Sequence, residues 1–142
     1  MRSNALIPVL ALAAALTSPA TAARADVLAA CASEIGRYCA DVSKGRGRIS
    51  ACLMGQMGRL GPACQPEVQA VAQSRLTPSY VRKALNPAFR APLPEACSKP
   101  AAQFCPGMTP GKGSVFACLY ARSDRIPKAC SDAAQETLKQ AR

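Results

Sequence analysis

Apolar positions recur at steps of three and four through most of the chain. Val27, Leu28, Cys31, Ile35, Tyr38, Cys39 and Val42 form the first such stripe, the spacing of a helix with one buried face. Asp26 precedes it as an N-cap, placed to accept the first free amides. Two glycines in Ser43-Lys44-Gly45-Arg46-Gly47-Arg48 then end the helix and let the chain reverse. Ile49, Cys52, Leu53, Met57 and Leu60 carry a second stripe, stopped by Gly61-Pro62. Pro66-Glu67-Val68 reads as the first turn of a third helix, with proline where no amide is needed. Its apolar face is modest (Val68, Val71, Ala72) and ends near Arg75. Thr77-Pro78 opens a short helix through Tyr80, Val81, Ala84 and Leu85. Asn86-Pro87 closes it, because the residue before a proline avoids helix. The fold class predicted is all-α.

The cysteines fall on these stripes in a grid that appears twice. Cys31, Cys39, Cys52 and Cys64 are separated by 7, 12 and 11 residues, and Cys97, Cys105, Cys118 and Cys130 repeat the same spacing 66 residues later. Other positions keep step with it. Tyr38 becomes Phe104, Gly45-Arg46-Gly47 becomes Gly111-Lys112-Gly113, Ala51-Cys52-Leu53 becomes Ala117-Cys118-Leu119, and Ala63-Cys64 becomes Ala129-Cys130. Apolar, glycine and basic character at matched positions marks a duplicated structural unit. The second copy departs at Pro100 and Pro106, which should shorten its first helix and end it at Cys105. Its last helix is expected over about 127–140. The chain thus divides into residues 1–25, a first unit at 26–74, a linker at 75–91 and a second unit at 92–142. Tyr80, Leu85, Phe89 and Leu93 could pack on a neighbour, so the units are either packed together or joined by a Pro-containing link.

Geometry also selects a cysteine pairing. Eight residues separate Cys31 from Cys39, about 80° around a helix and ~12 Å along it, so both can face one partner helix. In an antiparallel hairpin centred on the Gly45–Gly47 turn, Cys39 and Cys52 are equidistant from the midpoint. Cys31 then lies near the far end, where Cys64 enters. The arrangement without crossing is Cys39–Cys52 inside Cys31–Cys64, and likewise Cys105–Cys118 inside Cys97–Cys130. The expectation is two disulfide-stapled antiparallel helical repeats.

Such staples require an oxidising compartment. Met1-Arg2 begins a positive region, Leu6 to Leu16 is an apolar run, and Ser18-Pro19 breaks it. Ala20-Thr21-Ala22 and Ala23-Arg24-Ala25 both fit a small-x-small cleavage site, so the segment reads as a secretory signal peptide removed after Ala22 or Ala25. The run falls short of the ~20 residues that span a bilayer. The mature protein is expected in the periplasm or outside the cell, with no membrane span.

The grid, the glycine turn and the Cys-Leu step together resemble the cysteine-rich repeat of the Golgi apparatus protein 1 family, also called the cysteine-rich fibroblast growth factor receptor repeat. The residues that carry the likeness are Cys31-x7-Cys39, Gly45-Arg46-Gly47-Arg48-Ile49, Cys52-Leu53 and Cys64, then Cys97-x7-Cys105, Gly111-Lys112-Gly113, Cys118-Leu119 and Cys130. The resemblance implies a lumenal or extracellular module with structural disulfides, and it brings no catalytic residue.

Composition narrows the chemistry. The absence of histidine rules out Ser-His and Cys-His pairs. No two cysteines are close enough for the Cys-x-x-Cys of a disulfide oxidoreductase. A thiol-based soft-metal protein of the periplasm is the alternative, with Met54, Met57 and Met108 as further soft donors. The main expectation is a non-catalytic interaction module with no cofactor. Removal of Arg2 and Arg24 leaves 16 basic residues against 8 acidic, a net charge of +8. Such a surface favours an acidic glycan or an anionic envelope surface, and an unknown protein is the other open partner. Nucleic acid is not expected for an exported chain. The candidate basic contact surface comprises Lys44, Arg46, Arg48, Arg75, Arg82, Lys83, Arg90 and Lys112.

Overall fold

Asp26 does cap the chain's first described helix: its carboxylate accepts the Leu28 N–H at 3.1 Å. The computed structural model describes residues 26–75, 77 and 79–141. The segment read as a signal peptide lies outside them. The first unit contains α1 (Val27–Ala30), α2 (Ala32–Tyr38), α3 (Arg48–Gly55) and α4 (Cys64–Gln73). The linker carries α5 (Ser79–Ala84), and the second unit contains α6 (Ser98–Phe104), α7 (Gly113–Ala121) and α8 (Lys128–Gln140). Among the described residues there is no strand, and no helix is long and apolar enough to cross a membrane.

Three element boundaries differ from the pattern-based reading. The stripe from Val27 to Val42 is two helices, with a turn at Cys31. The bonds Cys31 N–H to Val27 O (3.0 Å) and Ile35 N–H to Cys31 O (2.8 Å) run through that turn. The break falls on the residue whose Cα the outer disulfide holds 4.7 Å from that of Cys64. The second stripe gives a helix only to Gly55, and Met57–Arg59 form a separate 3-10 turn. The third helix starts at Cys64, two residues before Pro66, which still sits in the first turn where its missing amide is not needed. Pro100 occupies the same place in α6.

The two units are packed together, and the seam between them is the pair α3 and α7. Backbones approach closely there. A Cβ on Gly55 would lie 3.2 Å from the Ser114 carbonyl oxygen and 3.5 Å from the Cys118 amide nitrogen. Ala51, Ala117 and Ala121 are buried in the same cluster, and such small side chains allow a short interaxial distance. At the other end of the pair the Tyr120 hydroxyl donates to the Arg46 carbonyl at 2.9 Å. The C-terminal end of each helix therefore meets the N-terminal end of the other, and the pair is antiparallel.

α7 is the most enclosed element: Val115, Phe116, Cys118 and Leu119 are each 1% exposed. Burying one such side chain contributes roughly 1.5–3 kcal/mol. The linker is part of this interior. Ala84 and Phe89 are buried in the second unit's core, while Val81 and Leu85 pack on the first unit's. Phe89 meets Phe116 edge to face, with ring centroids 5.8 Å apart and an interplanar angle of 86°. Such a pair adds about 0.5–1.5 kcal/mol beyond its buried area.

Two glycines separate propensity from packing. A Cβ on Gly36 in α2 would meet nothing within 4 Å, so Gly36→Ala should stabilise the fold by up to about 1 kcal/mol through helix propensity. A Cβ on Gly113, at the start of α7, would overlap the Ala84 carbonyl. Gly113→Ala should therefore destabilise by about 1–3 kcal/mol. Thermal unfolding of the two variants should show shifts of opposite sign.

Candidate functional site

Cys39 is bonded to Cys52 and Cys31 to Cys64; Cys105 is bonded to Cys118 and Cys97 to Cys130. Inner bonds join residues 13 apart and outer bonds residues 33 apart, in both units alike. Each inner bond closes the hairpin across its glycine turn, and each outer bond ties the unit's first helical segment to its last helix. No cysteine is free, so no thiolate remains for the soft-metal alternative. The methionines of that alternative are packing residues. Met54 is 5% exposed in the first core, Met57 packs against that core, and Met108 packs against the second.

The eight candidate cations do not form one face. Because α3 and α7 are antiparallel, the turn bearing Lys44, Arg46 and Arg48 and the turn bearing Lys112 lie at opposite ends of the pair. Half of the set is also held by the fold itself. Arg48 donates from Nε to Ser43 O (3.0 Å) and from Nη2 to Lys44 O (2.7 Å), closing its own turn. Arg82 donates to Ser74 O (3.1 Å) and Thr77 O (3.0 Å), fastening α5 to the end of α4. Lys83 reaches Ala141 O (3.3 Å), and Arg90 reaches Pro87 O (2.8 Å) and Phe89 O (2.6 Å). Among the described residues, the side chains of Lys44, Arg46, Arg75 and Lys112 make no such bond.

An ionic contact between the units was not foreseen. Asp41 accepts from Arg122 at both oxygens, Oδ1 to Nη2 at 3.0 Å and Oδ2 to Nε at 3.2 Å. Arg125 adds a bond to Oδ2 at 3.1 Å and lies over the Phe104 ring at 5.2 Å from its centroid. Among the described residues, Arg122 is the one buried polar or charged side chain, at 8% exposure, and the bidentate carboxylate satisfies a charge that would otherwise be buried alone. A signal did exist in the sequence. The counterparts of Asp41 and Arg122, 66 residues away, are Gly107 and Gln56, so the charges fall where the two copies disagree.

Two carboxyl groups are held below their ordinary values. Glu34 is lowered first by the Ser33 hydroxyl and then by the Gly61 amide, which donates to Oε1 at 3.0 Å. Asp124 is lowered chiefly by the Ser43 hydroxyl, with Arg48 and Arg125 adding to the effect. In both, the folded state prefers the ionised form. Their contribution is present above the ordinary values of 4.5 and 3.8 and is lost as pH falls through the lower folded values. Both tie one segment to another: Glu34 joins α2 to the approach of α4, and Asp124 joins the end of α7 to the first unit's turn.

The fold and the sulfur frame define a helical protein of disulfide-stapled cysteine-rich repeats. Residues 24–61 match the family model described as a cysteine rich repeat, which bears out the resemblance for the first unit. No curated protein and no solved structure matches the chain.

Asp41→Ala should leave Arg122 buried beside its lost partner and destabilise the protein by about 1–3 kcal/mol. Arg125→Ala, whose side chain is 44% exposed, should cost no more than about 1 kcal/mol. Chemical denaturation of the two variants measures the difference.

Proposed function

We propose that this chain is a non-catalytic, exported interaction module that meets densely negative surfaces through the free cations on its stapled frame. The observation that carries the proposal is the complete use of the cysteines: all eight are cross-linked in two matched sets. That pattern belongs to a chain matured where thiols are oxidised, and it fits the apolar N-terminal segment read as a signal peptide. It leaves the sulfurs a structural role. The displaced carboxyl groups have structural partners as well: Glu34 is lowered first by the neighbouring Ser33 hydroxyl and then by the Gly61 amide, and Asp124 chiefly by the Ser43 hydroxyl of the first unit.

Binding would then rest on charge held at a distance from the core. Lys44, Arg46, Arg75 and Lys112 lie on turns or at a helix end and are exposed. A mature net charge of +8 draws the chain toward polyanions, and cations on opposite ends of the α3–α7 pair suit an extended anionic surface better than a single small ligand. An acidic glycan and an anionic lipid surface share this chemistry.

Two arms separate those sources. The oxidised protein should be retained on vesicles of anionic phospholipid or on an immobilised acidic polysaccharide, and released as salt is raised. Retention on both points to charge density, and retention on one names the source. Lys44→Glu with Arg46→Glu should weaken it several-fold. Binding that ignores both salt and these substitutions would contradict the proposal.

A further inference from the structure

The two inner disulfides close matching hairpins but differ in one neighbour. Arg122 donates from Nη1 to Cys118 Sγ at 3.3 Å, in a buried contact. The first unit has Gln56 at the place of Arg122, and among the described residues no side chain donates to Cys52 Sγ. The remaining surroundings match. Cys52 Sγ lies 3.4 Å from the Tyr38 carbonyl oxygen, and Cys118 Sγ lies 3.5 Å from that of Phe104. Cys52 is 2% exposed and Cys118 1%. Burial and a carbonyl dipole therefore act alike on the two sulfurs, and a guanidinium acts on one of them.

Asp41 does not cancel that cation. Its carboxylate takes the other edge of the guanidinium, at Nε and Nη2, and is shared with Arg125. The Asp41 side chain is 48% exposed and that of Arg122 9%, so solvent screens the acid more than the contact with sulfur. Asp124 also acts on Arg125, but it brings Arg48 with it. The cluster keeps an excess of one cation. A cation beside a sulfur favours its thiolate, and the sulfur better able to carry that charge leaves faster in thiol–disulfide exchange. The other end of the bond is the one that a nucleophile can reach. Cys105 is the least enclosed of the eight cysteines, at 4% exposure, and none of the other seven exceeds 2%. The exposed residues Pro106 and Gly107 follow it.

We propose that Cys105–Cys118 is this protein's site of thiol–disulfide exchange, at which an incoming dithiol attacks Cys105 and Arg122 receives Cys118 as the leaving thiolate. One thiolate of the dithiol forms a bond to Cys105 Sγ while the Sγ–Sγ bond breaks, and its electron pair goes to Cys118. The second thiol of the reagent then loses its proton and attacks the mixed disulfide. Cys105 is expelled and protonated, and the reagent leaves as a disulfide. Two electrons have passed to the protein. The hairpin survives the opening because other contacts hold it. Cys97–Cys130 remains, the Ala91 amide donates to the Gly111 carbonyl at 3.0 Å, and Phe89 stands against Phe116.

The oxidised protein is treated with limiting dithiothreitol, alkylated at intervals, digested and mapped by mass spectrometry. Cys105 and Cys118 should be alkylated first, at least ten times faster than Cys39 and Cys52. A monothiol, glutathione, should be caught as a mixed disulfide on Cys105. Arg122→Gln, which copies the first unit's residue, should slow the opening several-fold. A purely structural Arg122 requires the opposite, because loss of its pair with Asp41 loosens the seam and speeds opening. The site is overturned if another bond opens first or at the same rate, if glutathione is found on Cys118, or if Arg122→Gln leaves the rate unchanged or raises it. The order of opening and the place of the glutathione are read on the parent protein, so they decide even where the variant does not fold.

Discussion

Each unit of this protein is too small to be held by its apolar interior alone, and the nested disulfides are the constraint that the rest of the structure depends on. The core is made largely of cysteine, alanine and short aliphatic side chains, which offer little area per residue. In the chain-entropy account, closing the inner loop contributes about 3 kcal/mol and the outer about 4, without simple additivity because one bond shortens the other's loop. The bonds also decide shape. They hold the arms of each hairpin together and leave the second arm, α3 or α7, with one face against its own staple and another for its counterpart.

That free face explains how two similar units become one structure. Gly55 lets the end of α3 approach the backbone at the start of α7, and three buried alanines line the seam. Duplication supplies the approximate symmetry, and divergence adds a one-sided lock. Asp41 faces Arg122 and Arg125 at one end of the pair. At the other end Gly107 and Arg59 occupy the corresponding positions, and a Cβ on Gly107 would lie 3.9 Å from the Arg59 guanidinium. The linker breaks the symmetry again by filling the groove beside one glycine turn and leaving the other open. Differences between the copies therefore mark the places where the structure has acquired something new.

How much of this was legible in the sequence follows from the range of each interaction. The hairpins and their nested bonds are encoded locally, in the distance of each cysteine from a glycine turn. The turn at Cys31 was not legible, because it falls on the residue that the outer bond holds against Cys64, and the helical stripe runs straight through it. The α3–α7 seam was invisible for another reason: glycine and alanine at a close crossing look like weak positions in an amphipathic pattern. The basic residues were legible as charges and not as roles. Arg48, Arg82 and Arg90 bind carbonyls within eight residues of themselves, whereas Arg46 and Lys112, in turns of the same composition, do not. Only the folded backbone decides which carbonyl lies within reach of a guanidinium.

The central claim is that the sulfurs are staples in this arrangement, and a disulfide map under non-reducing conditions tests it most directly. Proteolysis of the oxidised protein followed by mass spectrometry should recover four linked pairs: Cys31 with Cys64, Cys39 with Cys52, Cys97 with Cys130 and Cys105 with Cys118. A bond between Cys31 and Cys39, a bond joining the two units, or a set of free thiols would contradict the account.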